Sequence, residues 1–355
     1  MEKVIRIGID TSKRVFQLHG VNESEEPVLR KKLPRAQLLR WFGKLEPTKI
    51  GMEACGGAHY WARELQALGH DVVLVPPQHA KPYVARGKND AADAEAICEA
   101  MSRPKVQKRF VTVKTVDQQA AQMVIGTREQ LVRRRTQLSN MLRGYAAEFG
   151  FVAPKGFVHI GPLLARLLLD PELPELAKGT FGLLWGEFAQ VQLLIRRIEA
   201  QLMAFHRQSE LSRRLAEIPA IGPIGAVLLA AKVTDPKAFK SGRDFAAWLG
   251  LTPKDHSTAG KLRLGGITRA GDEALRSTLV QGATAVVQVA KRDPRKASPW
   301  LLELLRRKPA KLTAVALANK TARIAWKLMV SGERYDPTRR GPHNTAAATP
   351  ARQAA

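Results

Sequence analysis

The chain has little cysteine, few acidic residues relative to basic ones, and no long apolar run. It contains 2 cysteines, Cys55 and Cys98, which form no CxxC pair and have no nearby pair of histidines. This scarcity excludes a zinc module and a disulfide framework, so packing is the expected role of both thiols. No apolar run could span a bilayer, and no cationic and apolar leader follows Met1. The expected location is therefore the cytoplasm.

The shortage of acids leaves a large positive charge. Against 57 Lys and Arg there are only 32 Asp and Glu, which gives a formal net charge of +25. A charge of this size in a 39.1 kDa chain with a pI near 10.5 indicates a polyanionic ligand. Nucleic acid is the first expectation, with an anionic membrane surface as its rival. The 355 residues, 45% of them hydrophobic, suffice for two or three domains with their own cores.

The first hundred residues predict an α/β domain. Short β-prone segments alternate with a helical pattern from His59 to Gly69. Two of the strands end in an acid, namely Asp10 and Glu53. The alternation implies a mixed sheet with covered faces. The predicted strands are Val4–Asp10, Val15–Gly20, Lys49–Glu53 and Asp71–Val75.

A further helix is expected to start near residue 90. Asn89 or Asp90 can cap it, and the alanines that follow favour its propagation. Asp90 and Asp93 lie three residues apart, so their carboxylates share one face of a helix.

Asp10, Glu53, Asp90 and Asp93 thus have the setting to converge. Gathered carboxylates repel one another and need a counter-ion, and hard oxygen ligands select Mg²⁺ or Mn²⁺. Two such ions roughly 4 Å apart would stabilise the entering and leaving oxygens of a phosphodiester displacement. Taken singly, each acid is explained as well by a turn, a cap or a first-turn charge.

From about Pro104 the pattern is helical. One seven-residue seam has a basic flank that includes Arg128, Arg134 and Arg135. Its apolar members are Val124, Leu131, Leu138 and Tyr145. A second seam follows the 4-3 spacing of a coiled coil. It comprises Leu184, Phe188, Val191, Ile195, Ile198, Leu202 and Phe205. These seams predict a long antiparallel helical pair that also dimerises, and the alternative is packing within one chain.

Two loops follow the helices. The run Ile218–Ala226 places an apolar-x-Gly-x-x-Gly turn between helical segments, in the style of helix-hairpin-helix modules that hold a phosphate. Such turns also serve as plain helix connections. Further on, Ser257 lies in a glycine-bearing loop with four cations, Lys254, Lys261, Arg263 and Arg269. A serine on such a loop either contacts a phosphate or, if activated, acts as a nucleophile. The residues alone favour the first.

Two sets of motifs resemble the DEDD-type transposases of insertion sequences. The first set is GIDTSK around Asp10, MEACGGAHYW around Glu53 and KNDAADA around Asp90 and Asp93. The second is IPAIGP at 218–223 and WLGLTPKDHSTAGKLRLGGITRAGDEALR at 248–276. The resemblance runs from about Val4 to Val330. One departure is Ala259, where many relatives carry glycine.

The resemblance implies an RNA-guided DNA recombinase. It implies an α/β RuvC-like (RNase H-like) N-terminal domain, an all-α coiled-coil insertion and a mainly helical C-terminal domain. In this family a bridge RNA, a structured non-coding RNA, pairs with donor and target DNA, and a serine forms a phosphoserine link to DNA. Carried over to this chain, Asp10, Glu53, Asp90 and Asp93 hold Mg²⁺ in a tetramer, which would act at the nucleoid. Ser257 is then the nucleophile, with Thr258 as its nearest competitor.

The expected domain boundaries are 1–110 for the metal-dependent domain, 111–210 for the dimerising helices and 211–330 for the serine-bearing domain. A disordered tail is expected at 331–355, because it offers few large apolar residues to bury. Three other functions remain open: a hydrolytic RuvC-like nuclease, a non-catalytic RNA scaffold, and an actin-like ATPase or sugar kinase. The last would need further glycine-rich phosphate loops after later strands, and the helical pattern after Pro104 does not provide them.

Overall fold

A five-stranded sheet lies at the centre of the first unit, Met1–Gln119. The computed structural model describes residues 3–84, 90–107, 110–258, 260–261 and 263–337. Contacts divide the chain into this unit and a second one, Ala120–Ala355. The elements of the first unit are β1 (Arg6–Thr11), β2 (Val15–Val21), β3 (Pro27–Pro34), α1 (Leu38–Phe42), β4 (Lys49–Glu53), α2 (Ala58–Ala67), β5 (Asp71–Val75), α3 (Pro77–Ala80), α4 (Asp90–Ser102) and α5 (Pro104–Gln107).

The strand order is β3-β2-β1-β4-β5. β2 is antiparallel to both β1 and β3, whereas β4 is parallel to β1 and to β5. The mixed sheet expected from the sequence is therefore present, with one strand more than the pattern predicted. That strand, β3, is an edge strand with an exposed basic run, Arg30–Lys32. Lysines on edge strands discourage pairing with other chains, and they also hide the apolar alternation that marks a strand.

Helices α2 and α4 cover opposite faces of the sheet. On the α2 face, Trp61 and Leu65 pack against apolar side chains of β1 and β4. On the α4 face, two strand glycines admit the helix backbone. A Cβ at Gly8 would lie 2.1 Å from the carbonyl oxygen of Ala94, and one at Gly51 would lie 2.0 Å from Sδ of Met101. Any larger side chain at these positions would push α4 away from the sheet.

The second unit is helical. Its elements are α6 (Val116–Glu148), α7 (Ile160–Leu168), α8 (Glu175–Gln208), α9 (Glu210–Ala216), α10 (Pro223–Lys232), α11 (Gly242–Trp248), β6 (Pro253–Asp255), β7 (Leu264–Ile267), α12 (Glu273–Arg292), α13 (Pro299–Arg307) and α14 (Ala310–Ser331). β6 and β7 form an antiparallel ribbon. The turn between α9 and α10 puts Ala220 at a positive φ of 77°.

Helices α6 and α8 run antiparallel. Arg128 pairs with Glu199 and Arg134 pairs with Glu187. Residue numbers therefore increase along α6 in the direction in which they decrease along α8. Much of the predicted second seam is buried between them and their neighbours, including Phe188 and Ile195. The seam is thus used within the chain. Tyr145, the last member of the predicted first seam, is 48% exposed, because Leu142 and Ala146 face the core instead.

The predicted tail begins inside an ordered region. Ser331 ends α14, and Gly332 caps this helix in the left-handed conformation. Arg334 pairs with Glu217, and Tyr335 packs half-buried against the core of the second unit. These contacts hold the first residues of the predicted tail to the core of the second unit, and disorder of the tail stays a prediction. Residues 338–355 lie outside the described residues.

No helix in the described ranges is both long enough and apolar enough to cross a membrane.

Candidate active site

Three carboxylates meet at the carboxyl end of β1. One oxygen from each of Asp10, Asp90 and Asp93 lies within 4.8 Å of the other two. Side chains alternate along a strand, so Asp10 shares the face of Gly8, against which α4 packs. Asp90 and Asp93 occupy the first turn of α4, three residues apart. The close approach of α4 to the strand glycines is what brings the helix carboxylates to the strand carboxylate.

Glu53 lies beside this group but outside it. Ile9 of β1 pairs with Met52 of β4, so Glu53 follows at the level of Asp10. Glu53 also has the parity of Gly51, whose Cα faces α4. Its negative charge contributes to the electrostatic environment of Asp10. Three of the predicted acids therefore converge, and the fourth, Glu53, is near enough for its charge to act on Asp10.

The cluster changes the acidity of Asp10. Burial, together with the negative charges of Asp93, Asp90 and Glu53, raises the pKa of this carboxyl to about 6, although a backbone hydrogen bond at Thr11 acts in the opposite direction. Like charges held this close are relieved by a proton or by a cation. The cluster offers only carboxylate oxygens as ligands, and hard divalent cations prefer such all-oxygen sites. The residues present therefore fit a divalent metal. Asn89, the predicted cap of α4, lies outside the described residues.

Ser257 is exposed on the loop between β6 and β7. Its backbone N–H donates to Oδ1 of Asp255 at 2.8 Å. Its hydroxyl oxygen accepts a hydrogen bond from the backbone N–H of Arg263 at 3.0 Å. The first bond holds the backbone of Ser257, and the second holds its hydroxyl. His256, adjacent in sequence, uses its own backbone N–H on the carbonyl of Arg263.

Asp255, which hydrogen-bonds to Ser257, is not among the residues that the sequence motifs single out. Hydrogen bonds from the side chain and the backbone of Ser257 lower the pKa of Asp255 below its usual value. It is therefore an ionised acceptor beside the hydroxyl at neutral pH. An Asp two residues before a Ser is a turn pattern in which the carboxylate binds the amide two residues on, and this spacing was the available signal.

The seven predicted nucleic-acid cations fall into two groups. Four lie on the serine loop and its flanks, where they are exposed, and they make no ion pair within the described parts of the chain. These are Lys254, Lys261, Arg263 and Arg269. The other three lie on α6 and make contacts inside the unit. Arg128 and Arg134 pair with glutamates of α8, and the Arg135 guanidinium lies 4.1 Å from the centre of the Phe157 ring.

The contacts of Arg128, Arg134 and Arg135 stabilise the helix pair, and nucleic-acid binding by them stays a prediction. Ala259, the departure from the family pattern beside the serine, lies outside the described residues. Thr258 is described, and its carbonyl accepts a hydrogen bond from the backbone N–H of Lys261.

Two family models match the chain in order. The DEDD transposase model of IS110 elements matches residues 7–149, which hold the carboxylate cluster. The model described as "Transposase IS116/IS110/IS902 family" matches residues 212–298, which hold the serine loop. The two matches cover the motifs on which the resemblance was based.

Similar proteins span nearly the whole chain. "Putative transposase y4pF/y4sB" of Sinorhizobium fredii is 62% identical over 94% of this chain and 86% of its own length. "Probable family 20 transposase" of Pseudomonas aeruginosa is 46% identical over 94% of this chain and 98% of its own. "Transposase for insertion sequence element IS1328" of Yersinia enterocolitica is 40% identical over the same shares, 94% and 98%.

Proposed function

The chain belongs to the IS116/IS110/IS902 family of insertion-sequence transposases, and from this premise we propose that it recombines DNA through a phosphoserine intermediate under the guidance of a structured RNA. Membership implies a RuvC-like fold for the first domain, DNA as substrate, strand cleavage and strand transfer, and dependence on a divalent metal. The serine chemistry, the guide RNA and the residues assigned to each step belong to the proposal.

The convergence of Asp10, Asp90 and Asp93 carries the proposal. A strand end and a helix start, separated by about eighty residues of sequence, present oxygen atoms within 4.8 Å of one another. Such an arrangement costs free energy through burial and charge repulsion, both of which raise the pKa of Asp10. Perturbed carboxyls of this kind cluster at functional sites. Glu53, at the same strand edge, completes the proposed tetrad.

These four side chains would hold Mg²⁺, or Mn²⁺ in its place. The bound metal supplies positive charge that offsets the charge developing on a phosphate during displacement and favours ionisation of the attacking hydroxyl. In this arrangement Asp10 and Glu53 would supply ligands from the sheet, and Asp90 and Asp93 would supply ligands from α4.

Ser257 is the proposed nucleophile. Its Oγ attacks phosphorus, a phosphoserine ester forms, and the bond from phosphorus to one sugar oxygen breaks, so that this oxygen takes a proton from solvent and leaves as a free sugar hydroxyl. The carboxylate of Asp255, which accepts hydrogen bonds from Ser257, is placed to take the hydroxyl proton. Because one phosphate ester replaces another, the bond energy is retained and the strand can be resealed without a high-energy cofactor. Water as the attacker would leave a break.

RNA guidance and higher assembly rest on the family resemblance, and charge and exposure add support. A net charge of +25 suits a protein that holds both RNA and DNA backbones. Leu176 and Leu183, seven residues apart on α8, are 86% and 79% exposed, so an apolar row is open to a second copy. We assign 1–110 to metal binding, 111–210 to dimerisation and 211–330 to the serine site and to phosphate contacts at the turn before α10, and two dimers would form the tetramer.

The proposal is tested by trapping the covalent intermediate. Purified full chain is incubated with the RNA that flanks its element, Mg²⁺ and end-labelled donor DNA, and a denaturing gel separates any protein–DNA adduct. The adduct should form with the parent protein and with Thr258→Ala, and it should disappear with Ser257→Ala and with Asp10→Asn. Cleavage without adduct that survives Ser257→Ala would instead identify a hydrolytic nuclease. If neither Ser257→Ala nor Asp10→Asn changes the activity of the protein, the result would favour a non-catalytic RNA scaffold.

Omitting the RNA tests guidance separately. The adduct should then be lost or become independent of the donor sequence. An adduct of unchanged yield and sequence preference without RNA would contradict guidance while leaving the serine chemistry intact.

A further inference from the structure

A cavity of about 250 Å³ lies at the end of β1, where its wall includes Thr11, the residue after Asp10. Three segments form its wall: the turn after β1, the start of the short helical turn at Arg35, and the loop between β4 and α2. Its lining residues are Thr11, Ser12, Lys13, Arg35, Gly56 and Trp61.

The cavity and the carboxylates occupy opposite faces of one sheet edge. Asp10 shares the α4 face with Gly8, whereas the next residue, Thr11, points to the other face, where Trp61 of α2 packs. One residue of sequence therefore separates a ligand of the proposed metal from the wall of the cavity. A strand of nucleic acid that crosses this edge would meet both.

Hydrogen bonds hold the wall in place. The backbone N–H of Arg35 donates to the carbonyl of Arg14 at 2.8 Å. Oγ of Ser12 accepts from the N–H of Val15 at 3.1 Å. The hydroxyl of Thr11 lies 3.4 Å from Sγ of Cys55, across the junction of two segments. Hydrogen bonds thus hold the turns that form the cavity wall.

The charge of the cavity is positive and uncompensated. Lys13 and Arg35 are its charged residues, and neither makes an ion pair with any residue the structure describes. The Arg35 guanidinium lies 4.7 Å from the centre of the Trp61 ring, so the indole holds it over the cavity.

Trp61 adds an unused hydrogen-bond donor. It is only 6% exposed, and its indole Nε1 finds no acceptor among the described residues. A buried indole N–H normally has a partner, so this donor is unsatisfied within the described residues.

We propose that this cavity seats a phosphate group of the DNA strand, one that neighbours the phosphate acted on at the carboxylates. The inference rests on the proposed function for the identity of the strand. Two cations, hydroxyls and an open glycine backbone match a phosphate, which takes several donors at once. The cavity has no carboxylate in its lining to repel it.

Binding of a fluorescein-labelled oligothymidylate to the full chain, with EDTA present and salt varied, tests the charge. Lys13→Gln with Arg35→Gln should weaken binding about tenfold. The slope of log affinity against log salt should fall in magnitude by about 0.7, the loss of one phosphate contact on a single strand. Arg40→Gln with Lys44→Gln removes two exposed cations of α1 and its end, outside the cavity lining, and should leave the slope unchanged.

Gly56→Leu tests whether the cavity itself is the site. A Cβ at Gly56 meets no atom within 4 Å, so the substitution leaves the packing intact and fills the open space. It should weaken oligothymidylate binding as the double charge variant does, with the thermal midpoint unchanged. Parent affinity in Gly56→Leu overturns the proposal. The proposal is also overturned if the Arg40 and Lys44 variant loses as much of the salt-dependence slope as the Lys13 and Arg35 variant. A third contradicting result is weaker binding of an RNA probe, oligouridylate, with binding of oligothymidylate unchanged.

The failure of this inference is separable from failure of the function. Asp10→Asn and Ser257→Ala report on strand cleavage, while the binding assay runs without metal and without chemistry. If Gly56→Leu binds normally while Asp10→Asn abolishes the adduct, the phosphate site falls and the function stands. If Asp10→Asn still forms the adduct, the assignment of the metal ligands falls whatever the binding assay gives.

Discussion

The backbone N–H of Ser257 donates a hydrogen bond to Oδ1 of Asp255 at 2.8 Å. The same carboxylate interacts with the serine hydroxyl, and these bonds lower the pKa of Asp255. One acidic side chain therefore fixes the loop and faces the proposed nucleophile. The two roles can be separated, because an asparagine keeps an oxygen for the amide but cannot accept a proton.

Asp255→Asn should slow formation of the protein–DNA adduct by about a hundredfold, the lower range for loss of a general base. DNA affinity and the thermal midpoint should stay at parent values, because the Ser257 amide keeps its acceptor. Single-turnover adduct formation on a denaturing gel measures the rate. If the asparagine variant reacts at the parent rate, Asp255 only holds the loop in place and does not act as the general base.

Asp10→Asn should stabilise the metal-free protein at neutral pH. The folded pKa is raised to about 6, above the reference value of about 3.9 for an unfolded Asp. Between these values the folded state binds more protons, so stability falls as pH rises and the full penalty is present above about pH 6. The variant lacks this penalty. Its gain in thermal midpoint should be present at neutral pH with EDTA and should vanish near pH 4.

Mg²⁺ should reverse this order, raising the midpoint of the parent protein and not that of Asp10→Asn. Asp71→Asn, an exposed acid at the start of β5, is the matched control and should change neither result. If Mg²⁺ raised the thermal midpoint of Asp10→Asn as much as that of the parent protein, the carboxylate cluster would not be the metal site.

His59 should make the first unit sensitive to acid. Burial, with the nearby cations of Lys114 and Arg63, lowers its pKa to about 4, and its Nδ1 accepts the backbone N–H of Lys114 at 3.2 Å. A histidine held neutral in the fold stabilises above its unfolded pKa, and that contribution is lost as pH falls from about 6.5 to about 4. Urea unfolding across this range should show a steeper loss for the parent than for His59→Gln. Parallel curves would contradict it.

Phe188→Ala should destabilise the second unit by about 3–5 kcal/mol, because the ring is fully buried and stacks on Trp185 at 5.7 Å. Arg196→Ala, two turns further along α8 and exposed, should change stability by less than about 0.5 kcal/mol. Denaturant unfolding monitored by circular dichroism measures both. Similar losses for the two variants would contradict the packing of α8.

Dimerisation through the outer face of α8 predicts that Leu176→Ser with Leu183→Ser shifts the protein toward monomer. Both leucines are exposed, so the change should leave the unfolding midpoint of the monomer intact. Sedimentation velocity over a range of concentrations gives the mass. A dimer of unchanged stability would place the contact between copies elsewhere.

Local patterns were enough for the elements that carry the carboxylates. Asp10 and Glu53 were predicted at strand ends, and Asp90 and Asp93 on one helix face, because strand alternation and helix spacing are short-range properties. The same reasoning missed β3, whose exposed basic run hides its alternation. It also missed Asp255, whose role depends on a hydrogen bond to a residue two positions on.

The sequence by itself determined the sign of the charge, the elements that carry the four acids, and the residue types available for phosphate chemistry. Only the tertiary structure decided which of them meet. Gly8 and Gly51 let α4 approach the sheet closely enough to join Asp90 and Asp93 to Asp10. Antiparallel packing of α6 and α8 gave Arg128 and Arg134 acidic partners on a helix far away in sequence. The reason is that these contacts depend on distances between segments, which no local periodicity encodes.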